Sequence, residues 1–254
     1  MDTPQRIAII TGGSRGLGRS TAEHLASRGT AVLLTYRARR DAADAVVEAI
    51  SSRGGRAAAL QLDVGDVSSF GAFVERVRAV LRDTFDSDGF DVLVNNAGMG
   101  VHASFAETTE AQLASLIDVH LRGPFHLTQA LLGLLRDGGH ILNVSSGLAR
   151  FTLPGYAAYA AVKGAMEVLS RYQAAELGAR GVRVNVVAPG AVETDFGGAA
   201  VRDDPQVNAM IAAHTALGRA GKPDDIGAAV AMLLAPECGW INGQRIEVSG
   251  GQGL

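Results

Sequence analysis

The chain has 254 residues, 47% of them apolar and 19% charged, with a formal net charge of -3. A charge this small, spread without long runs of one sign, argues against nucleic acid or an anionic membrane as partner, and no uncharged apolar run reaches membrane-spanning length. The single cysteine, Cys238, excludes an intramolecular disulfide and a cysteine-based metal site, and MDTPQRIAII at the start lacks the layout of a signal peptide, so a cytoplasmic protein is expected.

RIAIITGG is a β-branched run that stops at glycines, the pattern of a buried strand. LGRSTAEHLASRG follows as an amphipathic helix ending in a glycine suited to its C-terminus. TAVLLTY is a second strand, RDAADAVVEAISSRGG a helix, AAALQLDV a third strand and SSFGAFVERVRAVLRDTF a helix. GFDVLVNNAG is a fourth strand leading into a loop. Residues 111–136 are predicted as one long apolar helix with an irregularity at Gly123–Pro124. HILNVSSG is a fifth strand, GYAAYAAVKGAME opens another helix, and GVRVNVVAPG is a sixth strand. A looser stretch covers about 191–222; DDIGAAVAMLLA is a helix and GQRIEVSGG a last strand.

Strand and helix alternate with no linker. The pattern predicts one α/β domain over 1–254, a doubly wound parallel seven-stranded sheet with helices on both faces, of the Rossmann type. Ligands of such sheets bind outside the carboxyl ends of the strands. The glycines of 12–18, Asp63, residues 95–98, 145–146 and 189–190 all fall there.

TGGSRGLG lies between the first strand and the first helix. Its spacing is Gly12-x3-Gly16-x-Gly18. Glycines let a pyrophosphate approach backbone N–H groups, and the positive helix end favours the anion. Gly12, Ser14, Arg15, Gly16, Leu17 and Gly18 are the candidate contacts. At the end of the second strand stand Tyr36 and Arg37 rather than a carboxylate. A carboxylate would hold ribose hydroxyls but repel a 2′-phosphate, whereas guanidinium groups pair with it. Arg15 and Arg37 therefore point to NADP(H) as the preferred cofactor, with NAD(H) as the alternative.

Tyr159 and Lys163 are four residues apart and share a helix face. A nearby ammonium favours the phenolate, so such a tyrosine is expected to exchange a proton with a substrate oxygen near neutral pH. Ser146, at the end of the fifth strand, is placed to hold the same oxygen. The set suits protonation of an alkoxide as hydride reaches a carbonyl carbon. His24, His102, His126, His140 and His214 have no metal-ligand spacing, and no metal site is expected.

With these residues in view, the chain resembles the short-chain dehydrogenase/reductase family, in particular its 3-oxoacyl-carrier-protein reductases, over nearly its whole length. TGGSRGLG resembles the family's cofactor loop, NNAG its signature after the fourth strand, and YAAVK, with Ser146 thirteen residues before Tyr159, its active site. VAPGAVET and GQRIEVSGG resemble its late segments. The resemblance implies Tyr159 as general acid/base, Ser146 polarising the carbonyl, and Lys163 on the nicotinamide ribose. It implies Asp63 and Val64 at adenine, and Pro189, Gly190, Val192 and Thr194 near the carboxamide. Asn95, Ala97 and Gly98 would line the groove, although Asn95 could instead tie strands together.

One position departs from the pattern. Many relatives have Asn where this chain has His120, in IDVHLRGPF. That Asn supports a water-linked proton relay to the lysine; histidine can donate a hydrogen bond too and ordinarily titrates near physiological pH. Either His120 takes over the relay, or the relay is weakened, or the residue is an ordinary helix histidine in a protein with little turnover, a nucleotide sensor or scaffold. The resemblance further implies a lid over 191–222, an opposite wall from MGVHASFAE with Met99 and His102, and a small-molecule carbonyl or alcohol substrate. It also implies a homotetramer through the apolar helix 111–136, with a dimer as the alternative. Trp240 is assigned to an interface or to packing. LLRDGGH before the fifth strand, with one arginine beside an aspartate, argues against a carrier-protein ketoreductase, which Arg136 and Arg180 alone favour.

Overall fold

The computed structural model describes residues 5–254, so residues 1–4, part of the segment read against a signal peptide, lie outside it. Seven strands form one parallel sheet in the order β3-β2-β1-β4-β5-β6-β7: β1 (Ile7–Ile10), β2 (Ala31–Tyr36), β3 (Ala57–Gln61), β4 (Phe90–Asn95), β5 (Leu135–Val144), β6 (Arg183–Pro189) and β7 (Arg245–Val248). Side chains alternate between its faces, as a pleated strand requires. Ile7 and Ile9 of β1 and Leu33 of β2 pack on one face with Phe73, Val77 and Leu127. Ala8, Ile10, Val32 and Leu34 pack on the other with Leu25, Val46 and Val230. The helices behind the first cluster are α3 (Phe70–Phe85), α5 (Gly123–Leu131) and α6 (Ala157–Leu177); behind the second are α1 (Gly16–Ala26), α2 (Arg40–Ser51) and α9 (Pro223–Leu233). Burial on both faces is why these strands read as continuous apolar runs.

The strand order reverses between β3 and β4, which places a crevice at the carboxyl ends of β1 and β4. The loops that follow these two strands touch there. A Cβ on Gly12 would lie 2.9 Å from Cα of Ala97.

The predicted helix 111–136 is divided. α4 (Glu110–Ile117) and α5 are joined by one π-helical turn, Asp118–Arg122, and residues 135 and 136 already belong to β5. Pro124 has no N–H for the carbonyl of residue 120, so the regular ladder fails, and Gly123 N–H reaches back to the Asp118 carbonyl instead. Gly123 also has no room for a side chain: a Cβ would fall 2.1 Å from the Val64 carbonyl oxygen. The stretch predicted as loose contains α7 (Ala200–Asp203) and α8 (Pro205–Ala213), the latter capped by Asp204, whose carboxylate accepts from the Gln206 and Val207 N–H groups.

Candidate active site

The glycine loop is held by residues that the sequence reading passed over. The Thr11 hydroxyl accepts from the N–H groups of Asn96 and Ala97, each at 3.0 Å. The Asn96 amide donates to the carbonyls of Thr11 at 2.8 Å and Gly12 at 3.2 Å, and a Cβ on Gly18 would lie 2.5 Å from that amide nitrogen. Gly12 (φ +65) and Gly16 (φ +54) are left-handed, which glycine adopts without strain. α1 begins with no side-chain cap and no acid in its first turn. Its leading N–H groups therefore face the crevice as an anion site, which suits a dinucleotide pyrophosphate.

Around this loop, Thr194 lies over Gly16, 3.5 Å from where a Cβ would be. Arg15 pairs with Asp195 at 3.2 Å. Arg37 is exposed at the end of β2, with its carbonyl accepting from Gln61, while Tyr36 packs partly into the core. Asp63 is exposed, and its carboxylate accepts from Gly65 N–H at 2.9 Å; Val64 is buried beneath the π-helical turn. Gly190 lies against Ser249 and Gln252, with no room for a side chain, and Val192 bridges to Gly221. Asn95 does not face the crevice: its amide donates to Asn143 at 2.8 Å and Thr128 at 3.2 Å, tying β4 to β5 and α5.

Tyr159 and Lys163 sit on one face of α6, and Ser146, two residues past β5, caps the turn Gly147–Ala149 by accepting from Leu148 N–H. The Lys163 ammonium lies 5.6 Å from the centre of the Tyr159 ring and donates to the Val144 carbonyl at 2.7 Å. Burial lifts the phenol above its ordinary value; a hydrogen bond from Ser146 offsets part of this and Tyr156 adds to it. Burial also lowers Lys163, to about 7. The expectation that the lysine makes the phenol acidic is thus corrected for the protein groups alone, where desolvation dominates both residues.

His120 is buried on the π-helical turn, its ring edge-on to Tyr159 with centroids 5.3 Å apart. Nε2 is 2.7 Å from the Met99 carbonyl oxygen and 3.2 Å from Met99 N. The shorter contact needs a proton on Nε2, which leaves Nδ1 as a bare acceptor, buried and without a partner in the protein. Burial first, and the Lys163 charge second, lower His120 to about 3 against the Met99 hydrogen bond. The residue stays neutral near pH 7, so the expected titration near physiological pH does not hold.

Two further residues were not legible in sequence. Arg245 on β7 donates to Glu167 at 2.8 Å and to the Ser146 carbonyl at 3.3 Å, and Glu167 accepts from Ser145 at 2.7 Å. Phe196 lies over Tyr159, with centroids 5.7 Å apart. Of the opposite wall, Met99 carries the His120 contact and His102 stacks edge-on against Tyr156 at 5.0 Å. Trp240 is fully exposed. Among the described residues, no cluster of His, Cys, Asp or Glu could hold a metal ion. No helix among them is long and apolar enough to cross a membrane.

A nucleotide crevice at the switch point, with a serine, a tyrosine and a lysine at its edge, defines an oxidoreductase of the doubly wound class, and the chain belongs to the short-chain dehydrogenase/reductase family. The family profile that matches is described as enoyl-(acyl carrier protein) reductase and spans residues 12–252. An uncharacterized oxidoreductase of Methylorubrum extorquens is 39% identical over 247 residues, covering 97% of both chains. Among solved structures, the promiscuous reductase LugOII, which catalyses keto-reduction at C1 during lugdunomycin biosynthesis, superposes with a TM-score of 0.93 at 34% identity over 100% of both chains. The angucycline C-6 ketoreductase LanV with bound NADP superposes with a TM-score of 0.92 at 34% identity, over 98% of this chain and 95% of that one.

Proposed function

We propose that the chain is an NADPH-preferring carbonyl reductase or secondary-alcohol dehydrogenase in which Tyr159 is the general acid/base. The observation that carries this reading is the buried Tyr159 with Lys163 one turn along the same helix, its ammonium 5.6 Å from the centre of the Tyr159 ring, and Ser146 just past the end of β5. Burial keeps the phenol protonated, the form that donates to a developing alkoxide. Ser146 orients and polarises the carbonyl oxygen. Lys163, lowered to about 7, changes charge readily near neutrality and serves both to hold the nicotinamide ribose and to resupply the proton. His120 contributes a neutral acceptor at Nδ1 rather than an acid. The dinucleotide, when bound, supplies the hydride that the carbonyl carbon takes up.

Gly12, Ser14, Arg15, Gly16, Leu17 and Gly18 would hold the pyrophosphate end, with Arg15 and Arg37 on a 2′-phosphate. Asp63 and Val64 would meet adenine. Ala97, Gly98, Pro189, Gly190, Val192 and Thr194 would line the nicotinamide side, beneath a lid over 191–222. The bound NADP in LanV supports the preference. A carrier-protein ketoreductase is less well supported. Arg136 is held by Ser87, Asp88 and Asp91, and Arg180 by Asp137 and backbone carbonyls, so neither is presented to an acidic partner. The assembly in this reading is a homotetramer, with a dimer as the alternative. Between α4, α5 and α6 lies an apolar groove of about 640 Å³ lined by Ile117, Leu121, Phe125, Val168, Leu169 and Tyr172, a surface a second copy would cover.

The test is consumption of NADPH and of NADH against a panel of ketones, aldehydes and 3-oxoacyl thioesters, with Tyr159→Phe beside the wild type. Turnover that favours NADPH and falls at least about a hundredfold in the variant is expected, the scale of a lost general acid. Equal rates in the two proteins would remove Tyr159 from the mechanism.

A further inference from the structure

Tyr159 is 6% exposed, so the residues packed around its ring decide what a carbonyl meets beside the phenol. Most of the cover is fixed. Leu116 and Val162 are buried in helices, and His120 is anchored on the Met99 backbone. Phe196 differs. It is 42% exposed, and the hydrogen bond at its position is made by its backbone, from Phe196 N–H to the Thr194 hydroxyl at 3.2 Å. The three residues after it, Gly197 (φ 62), Gly198 (φ 77) and Ala199 (φ 63), are all left-handed. Two glycines adopt that conformation without strain; the alanine does not. The phenyl group therefore sits at the end of a hinge held under strain at one residue.

A glycine far away in sequence makes room for the ring. A Cβ on Gly100 would lie 3.0 and 3.1 Å from two atoms of the Phe196 ring. A side chain at position 100 would require the phenyl to give way by a few tenths of an ångström. The surroundings are aromatic as well: His102 and Tyr156 form an edge-to-face pair, and the Phe151 ring lies 2.7 Å from a Cβ built on Gly147, next to Ser146.

We infer that Phe196 is a hinged aromatic wall of the substrate site, and that the substrate carries a planar aryl ring next to its carbonyl which replaces the Phe196–Tyr159 contact with its own. This rests on the carbonyl-reductase reading of Tyr159. A ring fits where a ring already lies, and stacking adds a gain that an alkyl chain of equal area lacks. Gly100 and Phe196 then act as a pair that sets specificity, with no part in the proton transfer.

The experiment compares kcat/KM for 1-tetralone and 2-octanone in wild type, Phe196→Ala and Phe196→Leu. It adds titration of 2-naphthol, which is not reduced, into the NADPH-loaded proteins by calorimetry. The aryl-to-alkyl ratio should fall about tenfold in Phe196→Ala and by a smaller factor in Phe196→Leu, mainly through KM, and 2-naphthol affinity should fall in parallel. Gly100→Ala should shift both readouts in the same direction. An unchanged ratio, or unchanged 2-naphthol affinity, overturns the inference. If wild type reduces no member of the wider carbonyl panel, the reductase reading fails on its own, and the 2-naphthol series still decides whether Phe196 forms the wall.

Discussion

Gly98 and His120 are fitted to each other: a Cβ on Gly98 would lie 2.7 Å from Cε1 of the imidazole. The loop after β4 can pass this close to the π-helical turn because position 98 has no side chain. The same approach brings Met99 to Nε2 of His120. Gly98→Ala should therefore destabilise the protein by about 1–3 kcal/mol, the usual range for overpacking. In the His120→Asn background, where the side chain is smaller, most of that cost should vanish. Urea unfolding of the two single variants and the double variant measures the coupling. Additive effects would show that the two residues do not share the space.

Acid should destabilise the fold through two buried histidines. His120 and His140 are each lowered to about 3, in both cases chiefly by burial. Between pH 6.5 and about 3 the unfolded chain takes up protons that the folded chain refuses, so stability falls as pH falls through that window. His140 is a residue of β5 whose Nε2 accepts from the Asn185 amide of β6 at 3.0 Å, and its Nδ1 has no protein partner. His140→Gln should flatten the fall of the urea midpoint between pH 7 and 4. A slope equal to that of wild type would mean that His140 is protonated in the folded state.

Cofactor choice should follow the arginines. Arg15 and Arg37 are exposed side chains beside the glycine loop and the end of β2. Removing either should raise the NADPH dissociation constant about tenfold or more, the scale of one hydrogen bond to a charged group, and alter NADH much less. Fluorescence titration with each cofactor reads this directly. Equal weakening for both would place the arginines away from the phosphate.

Asn95 offers a test with the opposite signature. Its amide joins Asn143 and Thr128 inside the protein. Asn95→Ala should lower unfolding stability by about 1–3 kcal/mol by leaving buried groups unpaired, with NADPH affinity close to that of wild type. A large loss of affinity at unchanged stability would restore Asn95 to the cofactor groove.

Much of the site could be read along the chain because its parts are local. The glycine loop, the Tyr159–Lys163 pair and the strand-end serine are short motifs whose spacing has meaning by itself. The irregularity expected at Gly123–Pro124 is present, but its extent as a π-helical turn over Asp118–Arg122 was not legible, because apolar periodicity continues through those residues. The role of Asn96 within NNAG was not legible because its work is done on Thr11 and Gly12, more than eighty residues away. Nor was that of Arg245, since its partners Glu167 and Ser146 come from other elements.

The sequence by itself determined the alternation of strands and helices, the parallel sheet, the glycine loop and the Tyr159–Lys163 pair on one helix face, because local geometry and side-chain period encode all of these. Tertiary structure alone decided the electrostatics of that pair. Whether Lys163 sharpens Tyr159 or burial governs both depends on how completely water is excluded, and so does the neutral state of His120. Desolvation is a sum over everything packed around a residue, and in this chain the cover over Tyr159 is drawn from segments as distant as Leu116 and Phe196.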